Sequence, residues 1–226
     1  MKLIVTAFLI IALAAGTTAQ TPVTPILTDK EVGAIFTPAV KKEFKIQFPI
    51  FRVYSFTDKS GQYYTVLTES RDSLGKKKDT ISYKIKAHTF KNNSGKLSLV
   101  WELADAKLKK EQAIWFWSRY CGFAPTAKDG AIDPIIIYGT AGPNDFEDGR
   151  VMIVIYHNGQ KIMIRHQNGT LDPERKLQVE PAFYNLPKEI QKAVTDKMVS
   201  LSSRMQALFP VNWQKAMTAK KTIIKN

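Results

Sequence analysis

Val151-Met152-Ile153-Val154-Ile155-Tyr156-His157-Asn158-Gly159-Gln160-Lys161-Ile162-Met163-Ile164-Arg165-His166 reads as two strands joined by a tight turn. Asn-Gly suits a two-residue turn in which both central residues take positive φ. Pairing about that turn sets His157 opposite Gln160 and His166 opposite Val151. Side chains alternate between faces along a strand. Val151, Ile153, Ile155, Ile162 and Ile164 therefore share one face. Met152, Val154, Tyr156 and Met163 share the other, beside Lys161 and Arg165. Both faces carry apolar groups, so both need at least partial cover. Pro134-Ile135-Ile136-Ile137-Tyr138 is apolar throughout and predicts a central strand covered on both sides.

Further strands precede this centre. Lys45 to Thr57 is rich in β-branched and aromatic residues, Asp58-Lys59-Ser60-Gly61 is a turn signal, and Gln62 to Glu69 resumes a strand. Arg71 to Asp79 reads as a charged loop. Ile81, Tyr83, Ile85 and Ala87 alternate with Ser82, Lys84, Lys86 and His88, and Asn92-Asn93-Ser94-Gly95 turns the chain. Leu97, Leu99, Trp101 and Leu103 then repeat the alternation, which predicts a hairpin with one buried and one wet face, His88 on the wet side. Ala104 to Gln112 is either a loop or a short helix. After Pro187 the period changes: Ile190, Val194, Met198, Leu201, Met205 and Leu208 form one stripe of an amphipathic helix, with Pro187 suited to its start and Pro210 ending it. The fold class is α+β, a mainly antiparallel β-sheet with a C-terminal amphipathic helix packed on it. The organisation expected is a secretory signal over 1–19, an extended lead-in over 20–44, a single α+β domain over 45–210 and a loosely held basic tail over 211–226.

The signal rests on Lys2, an uncharged apolar run from Leu3 to Ala15, and small residues at Thr17 and Ala19 ahead of Gln20. The run is shorter than the ~18 apolar residues a membrane helix needs, and no later stretch reaches that length. The address is therefore outside the cytosol, in the periplasm or at the cell surface. Of the 226 residues, 33 are Lys or Arg against 20 Asp or Glu, giving a formal charge of +13. No basic stripe with interleaved aromatics is present, and nucleic acid is an unfitting partner in an exported compartment. An anionic envelope glycan, lipopolysaccharide or lipid head group is the natural counterpart to such a charge, with general solubility as the competing reading. The lone Cys121 follows an aromatic run and reads as buried.

Few motifs carry chemistry. His157 and His166 fall at opposite ends of their hairpin, ~20 Å apart, and His88 lies on another strand, so no shared metal site is expected. Neither a nucleophile elbow nor a phosphate-cradling loop is present, and no cofactor is implied. Asp129-Gly130-Ala131-Ile132-Asp133 resembles half of a calcium loop, but Pro125 and Ala127 hold the earlier ligand positions. Asn144-Asp145-Phe146-Glu147-Asp148-Gly149 is acidic and also serves as a tight strand connection. The densest polar stretch runs from Arg165 through His166, Gln167, Asn168 and Asp172 to Arg175. It offers planar donors and carboxylates for a sugar or an anion. Alternatively, a turn at Asn168-Gly169 sets Arg165 against Asp172 as a cross-strand ion pair.

The stretch from Gly139 to Arg150 (Gly-Thr-Ala-Gly-Pro-Asn-Asp-Phe-Glu-Asp-Gly-Arg), with Lys161 to Arg175 and Phe183-Tyr184-Asn185-Leu186-Pro187, resembles a family of exported Bacteroidota proteins labelled "surface polysaccharide biosynthesis protein". The likeness covers most of the chain after the signal and is strongest from Trp117 to Pro210. Where that family has a fuller Asp-rich loop, this chain has Ala124 to Asp133. The label implies a role in envelope glycan display and supplies no catalytic residues. Asp72-Ser73-Leu74 and Asp79-Thr80-Ile81 also look like the short O-glycosylation sequons of that phylum. The expected function is a non-enzymatic glycan- or envelope-binding module. The expected contact residues are Asp148, Arg150, Arg165, His166, Gln167, Asn168, Asp172 and Arg175. An enzyme acting on envelope glycan through Asp145, Glu147 or Asp148 with His166, and a structural partner of an export complex, are the alternatives.

Overall fold

The computed structural model describes residues 24–75 and 78–226, so the segment read as a secretory signal lies outside the described residues. Four strands, β1 (Ile50–Asp58), β2 (Gly61–Glu69), β5 (Lys84–Asn93) and β6 (Lys96–Ala106), make one antiparallel sheet in that order. Between β2 and β5, β3 (Ser73–Leu74), inside what reads as a charged loop, pairs with β4 (Thr80–Ile81) just after it. The second sheet has seven strands. β7 (Ala113–Phe116) and β8 (Gly122–Ala124) both pair with β9 (Asp133–Ala141). β10 (Arg150–His157), β11 (Gln160–Gln167), β12 (Lys176–Val179) and β13 (Ile223–Lys225) follow outward, all antiparallel.

The Asn158-Gly159 turn forms with both residues at positive φ, and His157 pairs with Gln160 and His166 with Val151. The apolar run of β9 is buried from Asp133 to Thr140. Both faces of β10 are buried, and the second face of β11, with Lys161, Met163 and Arg165, is partly covered, in keeping with their composition. Ile153, Ile155, Ile162 and Ile164 pack under α3 (Lys188–Ser203) and α4 (Trp213–Thr218). Met152, Val154 and Tyr156 face Tyr54, Phe56, Leu67 and Ile85 of the first sheet. The order through the molecule is thus helices, sheet, sheet, helices, the first helical layer being α1 (Asp29–Ile35) and α2 (Pro38–Glu43).

That first layer corrects the extended lead-in. Thr28 caps α1 in a reciprocal box with Glu31, and Thr37 caps α2 with Pro38 in its first turn. Phe36, Val40 and Phe44 cover Val53, Tyr64, Val66 and Phe90 on the outer face of the first sheet. The face expected to be wet is therefore dry over its centre, where His88, paired across from Val66, is 1% exposed, while Lys84 and Glu102 on that face stay exposed. The tail is corrected as well. Trp213, Met217 and Ile224 are buried against the second sheet, and β13 extends that sheet beyond β12. The helical stripe stops early. α3 ends at Ser203, and Met205, at φ 58, turns its side chain to solvent. Ala104 to Ala106 belongs to β6, so only the remainder to Gln112 connects strands.

One further departure matters below. Thr89 pairs with Trp101 but Phe90 pairs with Leu99, leaving Val100 as an extra residue in β6. This β-bulge separates Leu99, on the outer face with Phe90, from Trp101, which packs toward the space between the sheets.

Gly149 enters β10 so closely that a Cβ there would sit 1.9 Å from the Thr140 carbonyl oxygen. Gly149→Ala is expected to cost about 2–3 kcal/mol of stability through backbone displacement. Gly159→Ala, with φ of +76 and open space, should cost about 1 kcal/mol. Urea unfolding of both variants measures the difference, and equal losses would refute the steric argument.

Candidate functional site

The eight polar residues singled out above do not converge on one site. Arg150, at the start of β10, points between the sheets. Its Nε lies 2.5 Å from Glu111 Oε1, its Nη2 3.0 Å from Glu111 Oε2, and its Nη1 3.3 Å from Asp105 Oδ2. Thr140 Oγ1 donates to Glu111 and Tyr138 Oη to Asp105. Burial alone would raise the Glu111 carboxyl. The Arg150 guanidinium and the Leu108 N–H outweigh it and hold that carboxyl below its usual range. Arg150 is thus engaged internally.

His166 is equally enclosed, at 2% exposure. Its Nε2 lies 2.7 Å from Asn168 Oδ1 and its Nδ1 3.2 Å from the Lys176 carbonyl. Phe209 packs on the ring at 4.6 Å. The Asn168 amide donates to the Phe146 and Gln206 carbonyls, and Leu208 N–H donates back to Asn168 Oδ1. This pair fixes the chain beyond α3 to the end of β11. It leaves His166 no free nitrogen to work with the acidic loop.

The expected Arg165–Asp172 ion pair does not form. A 3-10 turn at Asp172–Glu174 replaces the tight hairpin, so Arg165 pairs with Glu180 at 2.9 Å and Asp172 with Arg175 at 2.5 Å. The Asp148 carboxylate folds over Gly142 and accepts the Asn144 N–H, while Gln167 donates to the Asp148 and Gly149 carbonyls. Asp148 and Gln167 do share a hollow of about 610 Å³ with Leu108, Lys109, Lys110 and Pro143. Cys121 lies under β9, and burial pushes its thiol up to about 11, which suits a structural role. In the calcium-like loop, Asp133 is paired with His157 and the Ala127 N–H, and Asp129 with the Ala131 N–H. Among the described residues no group of three or more His, Cys, Asp or Glu side chains is placed to hold a metal ion.

Of the hollows outside that stretch, two stand out by the chemistry of their walls. The first is a hollow of about 300 Å³ between α4 and β13, where Lys215, Lys221 and Lys225 stand beside the exposed Val211 and Ile223. No Asp or Glu lines it, and none of the ion pairs among the described residues engages these lysines. The basic composition of 211–226 was its sequence signal, and the folding of that segment against the second sheet gathers it into one place.

The second surface lies at the mouth between the two sheets. Phe56, Tyr63, Trp101 and Tyr156 wall it, with His157 and Ser60 at its rim. Trp101 stacks on Tyr156 with ring centroids 3.9 Å apart, and Phe56 on Tyr63 at 5.5 Å. Periodicity could not expose this place, because its walls come from four strands in two sheets. No helix among the described residues is long and apolar enough to cross a membrane. The chain matches no protein-family model, no curated protein and no solved structure.

Proposed function

We propose that this is an exported cell-envelope protein of the periplasm or cell surface, and that it binds phosphate- or carboxylate-bearing envelope polysaccharide such as lipopolysaccharide without transforming it. The observation that carries this reading is the lysine-lined hollow between α4 and β13, which no Asp or Glu among the described residues lines. The leader-like first nineteen residues, the charge of +13 and the resemblance to the surface polysaccharide family support it. The contact moves from Arg150, Arg165 and Arg175, whose charges are internally paired, to Lys215, Lys221 and Lys225. An amphipathic rim of Val211 and Ile223 beside those lysines suits a polymer with both acyl and anionic parts.

The test is binding of the purified mature protein to lipopolysaccharide and capsule fractions across a salt series. At ~1 kcal/mol for each lysine near an anionic surface, Lys215→Gln, Lys221→Gln and Lys225→Gln together should weaken low-salt binding about 100-fold. Arg165→Gln with Arg175→Gln should change it little. Unchanged binding in the triple lysine variant would refute the assignment.

A further inference from the structure

We infer that the aromatic-walled mouth between the two sheets is a second site, one that takes a single neutral sugar ring. Its volume is about 250 Å³, below the roughly 300–1,000 Å³ of pockets for drug-sized molecules. It holds one ring and not an extended chain. Among the described residues neither Lys nor Arg lines it, Lys91 Nζ standing 5.9 Å over the Tyr63 ring, and the Asp58 carboxylate in its lining opposes an anion. Its walls are aromatic rings, set as two stacked pairs. The C–H face of a pyranose presents slightly positive hydrogens to such surfaces, whose electron-rich faces attract them.

The polar groups at the rim are mainly acceptors. His157 Nδ1 lies 2.7 Å from Asp133 Oδ1, and the Asp133 carboxylate is 2% exposed. A carboxylate accepts, so Nδ1 carries the proton and Nε2 is left as an acceptor. Its present donor is the exposed Asn158 amide at 3.1 Å, which an arriving hydroxyl can replace. Ser60 Oγ donates to Asp58 Oδ1 at 2.6 Å, so the Tyr63 hydroxyl 2.6 Å away is the donor in the next contact. The Tyr63 oxygen is then also an acceptor. A ligand that satisfies acceptors on both sides of an aromatic slot must bring several donors on a ring with an apolar face. A sugar does both.

The site is already built. Lys59 N–H donates to the Gly130 carbonyl at 3.0 Å, Lys59 Nζ to the Asp129 carbonyl at 2.7 Å, and Ile132 N–H to Asp58 Oδ2 at 3.2 Å. These bonds fasten the β1–β2 turn to the loop ahead of β9. Little ordering remains to oppose binding. The bulge at Val100 directs Trp101 into the slot.

Saturation-transfer NMR with the methyl pyranosides of glucose, galactose, mannose and N-acetylglucosamine, in about 0.5 M salt to screen the lysines, tests the assignment. The expected result is transfer to the ring protons of at least one sugar. The apparent affinity should fall at least tenfold in Trp101→Leu and about fivefold in Tyr63→Phe. Tyr63→Phe keeps the packing and decides the matter if Trp101→Leu fails to fold. No transfer to any of the four sugars, or the same affinity in a folded Trp101→Leu or in Tyr63→Phe, would overturn the inference. The triple lysine variant should keep the sugar signal, so this site and the polysaccharide reading fail separately.

Discussion

Arg150→Ala should lose about 3–5 kcal/mol of stability at neutral pH, the range for removing one partner of a buried ion pair. Glu111 is only 7% exposed and Asp105 lies beside it, so both carboxylates would lose their buried countercharge together. The Ala106 carbonyl, which accepts from Arg150 Nη2, loses a donor as well. Glu111→Gln placed on Arg150→Ala should recover part of the loss. The amide carries no charge; its oxygen still accepts from the Leu108 N–H, and its NH2, in place of the other carboxylate oxygen, donates to Thr140 Oγ1. Urea unfolding of the three proteins measures this. A loss below about 1 kcal/mol in Arg150→Ala would show that the network does not anchor the first sheet to the second. Any glycan-binding defect of an Arg150 variant must accordingly be read against its folded fraction.

Acidification should destabilise the protein steeply between about pH 6.5 and pH 4. Burial holds His88 at about 4, with Lys86 adding to the effect and Glu102 opposing it. Burial likewise holds His166 at about 4 against its hydrogen bonds to Asn168 and Lys176. In the unfolded chain both protonate near 6.5. Above that value neither state binds these protons and stability is complete. As pH falls from 6.5 toward 4 the unfolded state alone gains them, so stability drops. Below about 4 the native histidines titrate too and this contribution levels off. Each shift corresponds to about 3 kcal/mol, or about 6 kcal/mol for the pair. His88→Leu should halve the pH dependence. It should also stabilise the neutral protein by about 1 kcal/mol, because both ring nitrogens of His88 are buried without a hydrogen-bond partner among the described residues. The unfolding midpoint followed from pH 7 to pH 4 reads both effects. A flat profile, or one unchanged by His88→Leu, would contradict them.

What the sequence made legible was local. The β10–β11 register follows from an Asn-Gly turn and strict alternation, and the double cover of β9 from an apolar run. The two ends were misread because α1, α2, α4 and β13 are each one or two turns or a few residues long. They hold their shape by docking and are too short to show a period. Their caps were visible all the same, in Thr28 with Glu31 and in Thr37 with Pro38. His88 looked solvated because the helices that cover its face, α1 and α2, come from a distant, earlier part of the chain. The partners of the charged candidates were hidden for the same reason. Arg150 finds Glu111 39 residues away and Asp105 45 residues away, and no spacing rule joins them. The inter-sheet slot needs strands from both sheets and a bulge that alternation cannot foresee.

The extra residue at Val100 has one more consequence. β6 is an outer strand of its sheet, eleven residues long, with Leu99 and Val100 exposed. A long, flat, apolar strand in that position is a template for another molecule's backbone. The bulge puts the free N–H and C=O groups of β6 out of step midway along, so an incoming strand cannot continue its ladder past that point. The kink that aims Trp101 inward therefore also guards against fibril growth, and a deletion of one residue there would surrender colloidal safety and the sugar slot together.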